Sequence, residues 1–226
     1  MANLKENISV KSYDIKANGE VKPSDVDNSD KEKELKDQLS EEDMQKLQEE
    51  FKKEAERLQD KYQIVEPELA ENIVLEDVTP EEAKAIMDDR EDLYAFTEMM
   101  DGLGLSASQL GIGKKYFVAR DMSVEGNPFK IYFNPKYFMD GSTRITFKEG
   151  CLTYPGVQVP VKRYKNITFH WYGFDEKGEW KKFQKKVKGL NAIILQHEVD
   201  HCGNYPGGTN KPRTIMMFGK GKYIKE

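Results

Sequence analysis

The stretch "LNAIILQHEVDHCGN" contains the residues of this chain that are best suited to chemistry. His197, Glu198 and His201 are spaced as H-E-x-x-H. On a helix, two histidines four residues apart share a face where both can bind one metal ion, with the glutamate beside it. Leu190 and Ile194 precede them at helical spacing, so both imidazoles point toward an apolar interior. Two inward imidazoles without partners would be costly in a core, and the pattern therefore predicts a metal site.

The third protein ligand of this site is expected upstream of the helix. Zinc peptidases usually supply it downstream, as a histidine or a glutamate. Here the sequence after His201 contains no histidine and no aspartate, and its only glutamate is Glu226. Cys202 points about 100° around the helix from His201 and is a poor ligand for the same ion. The upstream candidates that remain open are Glu149, Cys151 and His170.

Three short motifs, in this order, resemble those of one enzyme family. They are "GLGLSASQ" (Gly102–Gln109), "EGCLT" (Glu149–Thr153) and "QHEVDH" (Gln196–His201). Together they resemble the motifs of the peptide deformylases, which run G-x-G-L-A-A-x-Q, E-G-C-L-S and H-E-x-D-H. The resemblance covers roughly residues 62–205. Ser106 and Thr153 depart from the family pattern, but each replaces one small residue by another and should preserve its loop.

The resemblance implies a metal centre and a reaction. Cys151, His197 and His201 would bind one divalent ion, which is Fe(II) in the cell and is often Zn(II), Ni(II) or Co(II) in preparations. The substrate would be the formyl group of N-formylmethionyl peptides or nascent chains, released as formate. A fourth ligand position would hold a water of lowered pKa, and Glu198 would take its proton and pass it to the leaving amine.

The substrate and its oxyanion need further groups. The resemblance implies that the side-chain amide of Gln109 and the backbone N–H of Leu152 stabilise the oxyanion. Gly104 lets the backbone approach the substrate closely. The methionine side chain needs an apolar pocket beside the metal-binding helix. For this pocket we expect four residues, each of which could equally be ordinary core: Phe147, Leu190, Ile193 and Ile194.

The pattern of elements predicts an α+β fold similar to that of the deformylases. Thr79, Pro80 and Glu82 form the start signal of a helix over about 80–100. A second helix is predicted over about 190–202, where it carries the metal motif. Strands followed by one buried helix predict antiparallel or mixed strands around a central metal-binding helix. The strands are expected at 116–119, 130–133, 144–148, 156–161, 165–173 and 180–187.

A charged extension precedes this pattern. Residues 1–39 are polar and predict a flexible tail. From Ser40 an amphipathic helix is expected, and it would serve either as a partner or coiled-coil helix or as a frayed linker. We expect residues 1–61 to stand apart from a catalytic domain at 62–226. The apolar stripe of the helix consists of Met44, Leu47, Phe51, Ala55, Leu58 and Tyr62.

Composition and charge bear on whether the chain crosses a membrane and on whether it binds a polyanion. Hydrophobic residues make up 38% of the chain, and no run of about 18 apolar residues occurs, so no membrane span is expected. The net charge of −5 divides into −6 over residues 1–60, −9 over 61–100 and +10 over 101–226. The basic part could meet a polyanion, but no specific nucleic-acid motif supports this, and a solvated surface is the favoured interpretation.

The remaining expectations concern the compartment, the partner and the alternative functions of the protein. Two cysteines without a secretion signal predict a reduced compartment. With the family resemblance, the expected compartment is the cytoplasm of a bacterium or of a phage-infected cell, and an organelle stays open as an alternative. The ribosome is a candidate partner, although the residues after His201 do not predict the long C-terminal helix of many bacterial deformylases. The alternatives are a metallopeptidase and a non-catalytic binding module that uses the 40–62 helix.

Overall fold

The computed structural model describes residues 13–15, 21–23, 40–208, 210–218 and 224–225. Its helices are α1 (Glu41–Lys61), α2 (Pro67–Asn72), α3 (Pro80–Asp88), α4 (Arg90–Met99) and α5 (Gly189–His201). Its strands are β1 (Tyr13–Ile15), β2 (Val21–Pro23), β3 (Gly104–Ser106), β4 (Tyr116–Arg120), β5 (Phe129–Met139), β6 (Arg144–Cys151), β7 (Tyr154–Tyr164), β8 (Asn166–Phe174), β9 (Trp180–Lys188) and β10 (Ile224–Lys225). Short 3-10 turns lie at Ala107–Leu110 and Ile215–Met217.

Antiparallel pairing organises the strands into two main sheets. The larger sheet has the order β3-β4-β5-β8-β9, and the smaller has the order β10-β7-β6, while β1 pairs only with β2. Every strand predicted between residues 116 and 187 is present, and most extend a few residues further. The pairing of β5 with β8 is interrupted by a bulge between Phe133 and Lys136. The predicted α+β class is therefore confirmed.

Helix α5 is the centre of the fold. Ten of its thirteen residues are buried, including the polar residues Gln196, Glu198, Asp200 and His201, so the helix is covered on several sides. Its residues pack against the larger sheet, where Phe117, Ile167 and Phe169 are at most 1% exposed. The metal motif is therefore carried by a helix that is packed into the core. The α5 residues in this core are Leu190, Ala192, Ile194, Leu195, Val199 and, at its C-cap, Cys202.

The single helix predicted over 80–100 is in fact two helices, α3 and α4. The predicted start is confirmed, because Thr79 and Glu82 form a reciprocal capping box. The prediction of one continuous helix is wrong because Asp89, with φ −97° and ψ 4°, leaves the helical conformation. The Asp89 carboxylate accepts hydrogen bonds from the Tyr62 hydroxyl and the Lys61 ammonium, and these contacts hold the break in place.

The N-terminal extension is only partly separate. Helix α1 begins at Ser40, whose side chain accepts a hydrogen bond of 3.1 Å from the Asp43 N–H, as predicted. The expectation that the whole helix stands apart is wrong for its last turns. Leu58 is buried, and Arg57 Nη2 lies 2.6 Å from Asp92 Oδ1 on α4. The apolar stripe ends at Tyr62, which packs against Phe96 and joins the core.

Two further expectations concern the N-terminal tail and membrane-spanning helices. The tail predicted over residues 1–39 lies outside them, apart from the short strands β1 and β2. Among the helices of the described part, none has the length and apolar content that crossing a membrane requires.

Candidate metal centre and active site

Cys151, His197 and His201 converge at the end of β6 and the last turn of α5. Their potential ligand atoms all lie within 4.8 Å of one another. The Cys151 Sγ atom is 3.2 Å from His201 Nε2. Two such ligands of one tetrahedral ion would be separated by about 3.6 Å, given the usual metal–sulfur and metal–nitrogen bond lengths. One thiolate and two imidazoles are also a donor set that transition metals accept. The three residues therefore fit a single ion.

Local electrostatics favour the ligand form of the cysteine. Burial opposes ionisation of Cys151, but the charge of His201 and hydrogen bonds with both histidines outweigh it and hold the pKa of the thiol well below its usual range. The thiolate is the form that binds metals. Burial similarly opposes protonation of His197, whereas its contacts with Cys151 and Glu149 raise its pKa well above the usual value. A bound cation would take the place of the proton on the site-facing nitrogen of His197.

Glu149 orients one of the two histidines. Its Oε2 atom lies 2.9 Å from His197 Nδ1, so the other ring nitrogen of His197 is directed at the metal site. Burial opposes ionisation of Glu149, but hydrogen bonds from Arg163 and His197 outweigh it and lower its pKa to about 2. Sequence analysis had left Glu149 open as a ligand. In the structure it contacts a ligand and is absent from the group of ligand atoms that converge.

Arg163 continues this chain of contacts and was missed in the sequence. Its Nε and Nη2 atoms each lie 2.7 Å from a carboxylate oxygen of Glu149, and its Nη1 bonds to Asp200 on α5. A signal existed in the sequence, because Arg163 continues the inward alternation of Val159 and Val161 along β7. An arginine at an inward strand position requires a buried acidic partner.

His170, the remaining open candidate, and Cys202, which the sequence pattern disfavours as a ligand, both lie away from the metal site. His170, left open as a third ligand, packs edge-on against Phe138 with ring centroids 4.9 Å apart. The Cys202 Sγ atom faces the carbonyl of Tyr116 at 3.7 Å and the hydroxyl of Ser106 at 3.8 Å. Both cysteines are buried free thiols.

Glu198 is buried beside the ligands and close to a glycine. The Ser106 hydroxyl donates to its Oε2 at 3.2 Å. Burial raises the pKa of Glu198 above its ordinary range. A Cβ atom at position 104 would lie 2.5 Å from Glu198 Oε1, so only glycine at this position leaves room for the carboxylate. Gly104 was expected to allow close approach of a substrate, and the structure adds the close approach of Glu198.

The amide of Gln109 is fixed in one orientation. Its Oε1 accepts a hydrogen bond of 2.9 Å from the N–H of Ser106, so its Nε2 is the atom that faces the site. That nitrogen lies 3.1 Å from the Thr153 hydroxyl and 3.5 Å from Cys151 Sγ. Gln109 belongs to the 3-10 turn after β3. A donor group is thus held ready next to the ligands.

One cleft of about 970 Å³ is lined by nearly all of the predicted site residues. The exception is His201, which lies behind the others and is 1% exposed. Leu190 and Ile194 line the cleft and also belong to the core under α5. The cleft additionally includes Tyr154 and Val157, which sequence analysis did not select. The predicted residues that line it are Gly104, Gln109, Phe147, Cys151, Leu152, Leu190, Ile193, Ile194, His197 and Glu198.

Comparison with known proteins decides the family. The profile described as polypeptide deformylase matches residues 62–206. The chain belongs to the peptide deformylase family. Members of this family are metal-dependent, and the Cys-His-His cluster at the end of α5 is able to hold an ion. The three sequence motifs therefore identified the family correctly.

Individual deformylases match about half of the chain. The peptide deformylase of Karelsulcia muelleri is 34% identical over 111 residues, which are 49% of this chain and 57% of that protein. The enzyme of Dictyoglomus thermophilum is 37% identical over 110 residues, or 49% of this chain and 66% of that protein. The chain thus spans less than two-thirds of the length of either relative.

Solved deformylase structures share the fold. The peptide deformylase of Synechococcus elongatus superposes with a TM-score of 0.52 at 26% identity, covering 62% of this chain and 74% of that one. A plant peptide deformylase gives a TM-score of 0.55 at 25% identity, covering 71% and 81%. The predicted deformylase-like fold is therefore confirmed for the greater part of the chain.

Proposed function

We propose that this chain removes the formyl group from N-formylmethionyl peptides or nascent chains and releases formate. The single observation that carries the proposal is the composition of one cleft. Cys151 and His197 line it, with His201 completing their cluster from behind, and it also contains a buried carboxylate, Glu198, and an oriented amide, Gln109. Hydrolysis of an amide requires a nucleophile, a proton carrier and a donor for the oxyanion, and these residues supply or support each of them.

Cys151, His197 and His201 are the proposed ligands. An ion held there would supply a water of lowered pKa and polarise the substrate carbonyl. We propose Fe(II) as the ion in the cell, with Zn(II), Ni(II) or Co(II) as substitutes, because a mixed thiolate and imidazole set accepts all of these ions. Glu149 supports the arrangement by fixing the ring of His197 through its Nδ1 atom.

Glu198 is the proposed proton carrier. Burial raises the pKa of its carboxyl group above the ordinary range, which favours taking a proton from the water and later transferring it to the leaving amine. The hydroxyl of Ser106 and the missing side chain at Gly104 hold the carboxylate in the cleft. The carboxylate thereby reaches both the attacking water and the leaving nitrogen of a substrate in the same cleft.

The oxyanion and the methionine side chain have separate proposed sites. The Nε2 of Gln109 and the backbone N–H of Leu152 are the proposed oxyanion donors. Gly104 is the proposed backbone contact of the substrate. An unbranched methionine side chain suits the apolar wall of the cleft, which is the proposed specificity pocket and consists of Phe147, Leu190, Ile193 and Ile194.

The domain boundary, the partner and the compartment are also proposals. We propose residues 62–226 as the catalytic domain and residues 1–61 as an extension, and the profile match that begins at residue 62 supports this boundary. Formylated chains emerge from ribosomes of the bacterial type, so the proposed setting is the cytoplasm of a bacterium or of a phage-infected cell. The ribosome is a proposed partner for the same reason.

A formate-release assay tests the proposed reaction. The metal-loaded protein should release formate from formyl-Met-Ala-Ser and leave acetyl-Met-Ala-Ser and Met-Ala-Ser uncut. Glu198→Gln should lower kcat by about 10²–10⁴-fold while the metal stays bound, because it removes a proton carrier and not a ligand. Glu179→Gln is the matched control, since Glu179 lies in an exposed turn with its side chain 64% exposed.

Two results would contradict the proposal. Cleavage of peptide bonds without formate would identify a peptidase. Formate release by Glu198→Gln at the rate of the Glu179→Gln control would remove Glu198 from the reaction.

A further inference from the structure

The chain doubles back after α5 and returns to the metal-binding helix. We call residues 203–208 and 210–218 the return segment. It begins at Gly203, whose φ of 67° suits glycine, and a Cβ atom there would come within 2.7 Å of the Asn210 carbonyl carbon. The backbone N–H of Arg213 then donates to the carbonyl of Asp200 at 2.8 Å. The segment is therefore pinned against the last turn of α5.

The side chain of Arg213 makes a second contact with the same residue. Its Nη2 lies 2.6 Å from Asp200 Oδ1. The guanidinium carbon lies 3.8 Å from the ring centroid of Tyr205 and 4.4 Å from that of Phe218. The Arg213 Nε atom is buried and has no acceptor among the described residues. The orientation of this guanidinium therefore depends on Asp200 and on two aromatic rings.

Asp200 connects Arg213 to the metal ligands. Its other oxygen bonds to Arg163, which makes the two-pronged contact with Glu149. Glu149 in turn holds Nδ1 of His197. The network thus contains two buried carboxylates, the buried guanidinium of Arg163 and the partly exposed guanidinium of Arg213, and each carboxylate has a guanidinium partner of its own only when Arg213 is counted. Asp200 itself lies between the two histidines on α5, directly before His201.

Loss of Arg213 would unbalance this network. Glu149, Asp200 and Arg163 are at most 4% exposed in their side chains, and a single guanidinium would remain for two carboxylates. An uncompensated buried charge is strongly unfavourable, so the carboxylates would compete for Arg163 or reorient toward water. Either response changes the group that orients His197.

We propose that Arg213 is a positioning residue of the metal centre. It acts through Asp200, Arg163 and Glu149 on the ring of His197, so the return segment completes the surroundings of the ligands. Arg213 lies outside all three sequence motifs. The inference rests on the proposed metal site and adds to it a residue that touches neither substrate nor metal.

A second anchor of the return segment provides a matched control. The Thr214 hydroxyl donates to Glu71 Oε1 at 2.7 Å, and the Tyr154 hydroxyl donates to the same oxygen at 2.5 Å. This contact ties the segment to α2 and does not involve the ionic network. Thr214→Val should therefore loosen the segment and leave the charge balance behind His197 intact.

The experiment measures Co(II) binding to the chelator-stripped full chain. The Co(II) affinity is measured by competition with a chromophoric chelator, and the ligand-field absorption reports the geometry at the ion. The stability of the metal-free protein is measured by thermal unfolding.

Arg213→Met should weaken Co(II) binding by about 10–100-fold, the usual effect of removing a group that orients a ligand, and should shift the absorption bands. Arg213→Lys, which keeps the charge, should lie between wild type and Arg213→Met. Thr214→Val should lower Tm but keep the wild-type affinity and spectrum.

The outcomes separate this inference from the proposed function. Wild-type affinity and spectrum in Arg213→Met would overturn the positioning role and leave the metal site standing. Equal weakening by Thr214→Val and Arg213→Met would also overturn it, since the segment would then act only through stability. If Arg213→Met is recovered unfolded, Arg213→Lys decides: weakened binding supports the role, and unchanged binding overturns it. A wild-type chain that binds no Co(II) would refute the proposed metal site and this inference together.

Discussion

The two buried cysteines differ in the pKa of their thiols because their Sγ atoms face different neighbours. Cys151 ends β6 with its Sγ atom 3.2 Å from His201 Nε2, and the histidines hold its pKa low despite burial. Cys202 follows a ligand on α5 but faces Ser106 and the Tyr116 carbonyl, and burial raises its pKa. The surroundings therefore favour the thiolate form of the first cysteine and the thiol form of the second.

Alanine substitutions at the two positions should separate these roles. Cys151→Ala should lose most of the bound metal, because two imidazoles alone hold a divalent ion weakly. Cys202→Ala should keep both metal and formate release, with a stability loss of about 1 kcal/mol for the small cavity. Metal content per folded chain after anaerobic purification is the measurement. Loss of metal from Cys202→Ala with retention by Cys151→Ala would reverse the assignment.

At the residue scale, the sequence predicts the groups that would bind the metal or act on the substrate. It does not predict the groups that hold these side chains in position. His197, Glu198 and Cys151 can be selected from their types and motifs. The role of Arg163 depends on how β7 faces α5, which no local pattern contains. Glu149 was considered, but its role as a partner of His197 became clear only from its distance to the ring.

Among the elements, helix α1 departs most from expectation. Its first turns are exposed, with Phe51 51% exposed, whereas Leu58 near its end is 3% exposed and joins Tyr62 and Phe96 in the core. Periodicity predicts the helix correctly because cap and stripe are local features. It does not predict where the stripe stops facing water, because that depends on the helix α4 that it meets.

Leu58→Ala tests whether α1 is part of the folded unit. The substitution should lower the free energy of unfolding by about 2–5 kcal/mol, as expected for a buried leucine. Phe51→Ala, on the same stripe but exposed, should change it by no more than about 0.5 kcal/mol. Urea denaturation of both variants gives the comparison. A Leu58→Ala effect as small as that of Phe51→Ala would mean that the helix contributes nothing to the core.

At the scale of the whole molecule, the site is assembled from distant parts of the chain. The three motifs lie on the β3 turn, at the end of β6 and on α5, and the two sheets bring them to one cleft. Motif order is sufficient to predict this meeting through the family resemblance. Composition alone is not, because it carries no information on strand pairing or on the return of the chain after Gly203.

Stepwise metal addition to the chelator-stripped protein tests the central claim most directly. The rate of formate release from formyl-Met-Ala-Ser should be at background without metal, rise linearly with added Ni(II), and level off at one equivalent per chain. This result follows if Cys151, His197 and His201 form the single ion site that the reaction needs. Full turnover by the stripped protein, or a rate that never rises with metal, would contradict the account.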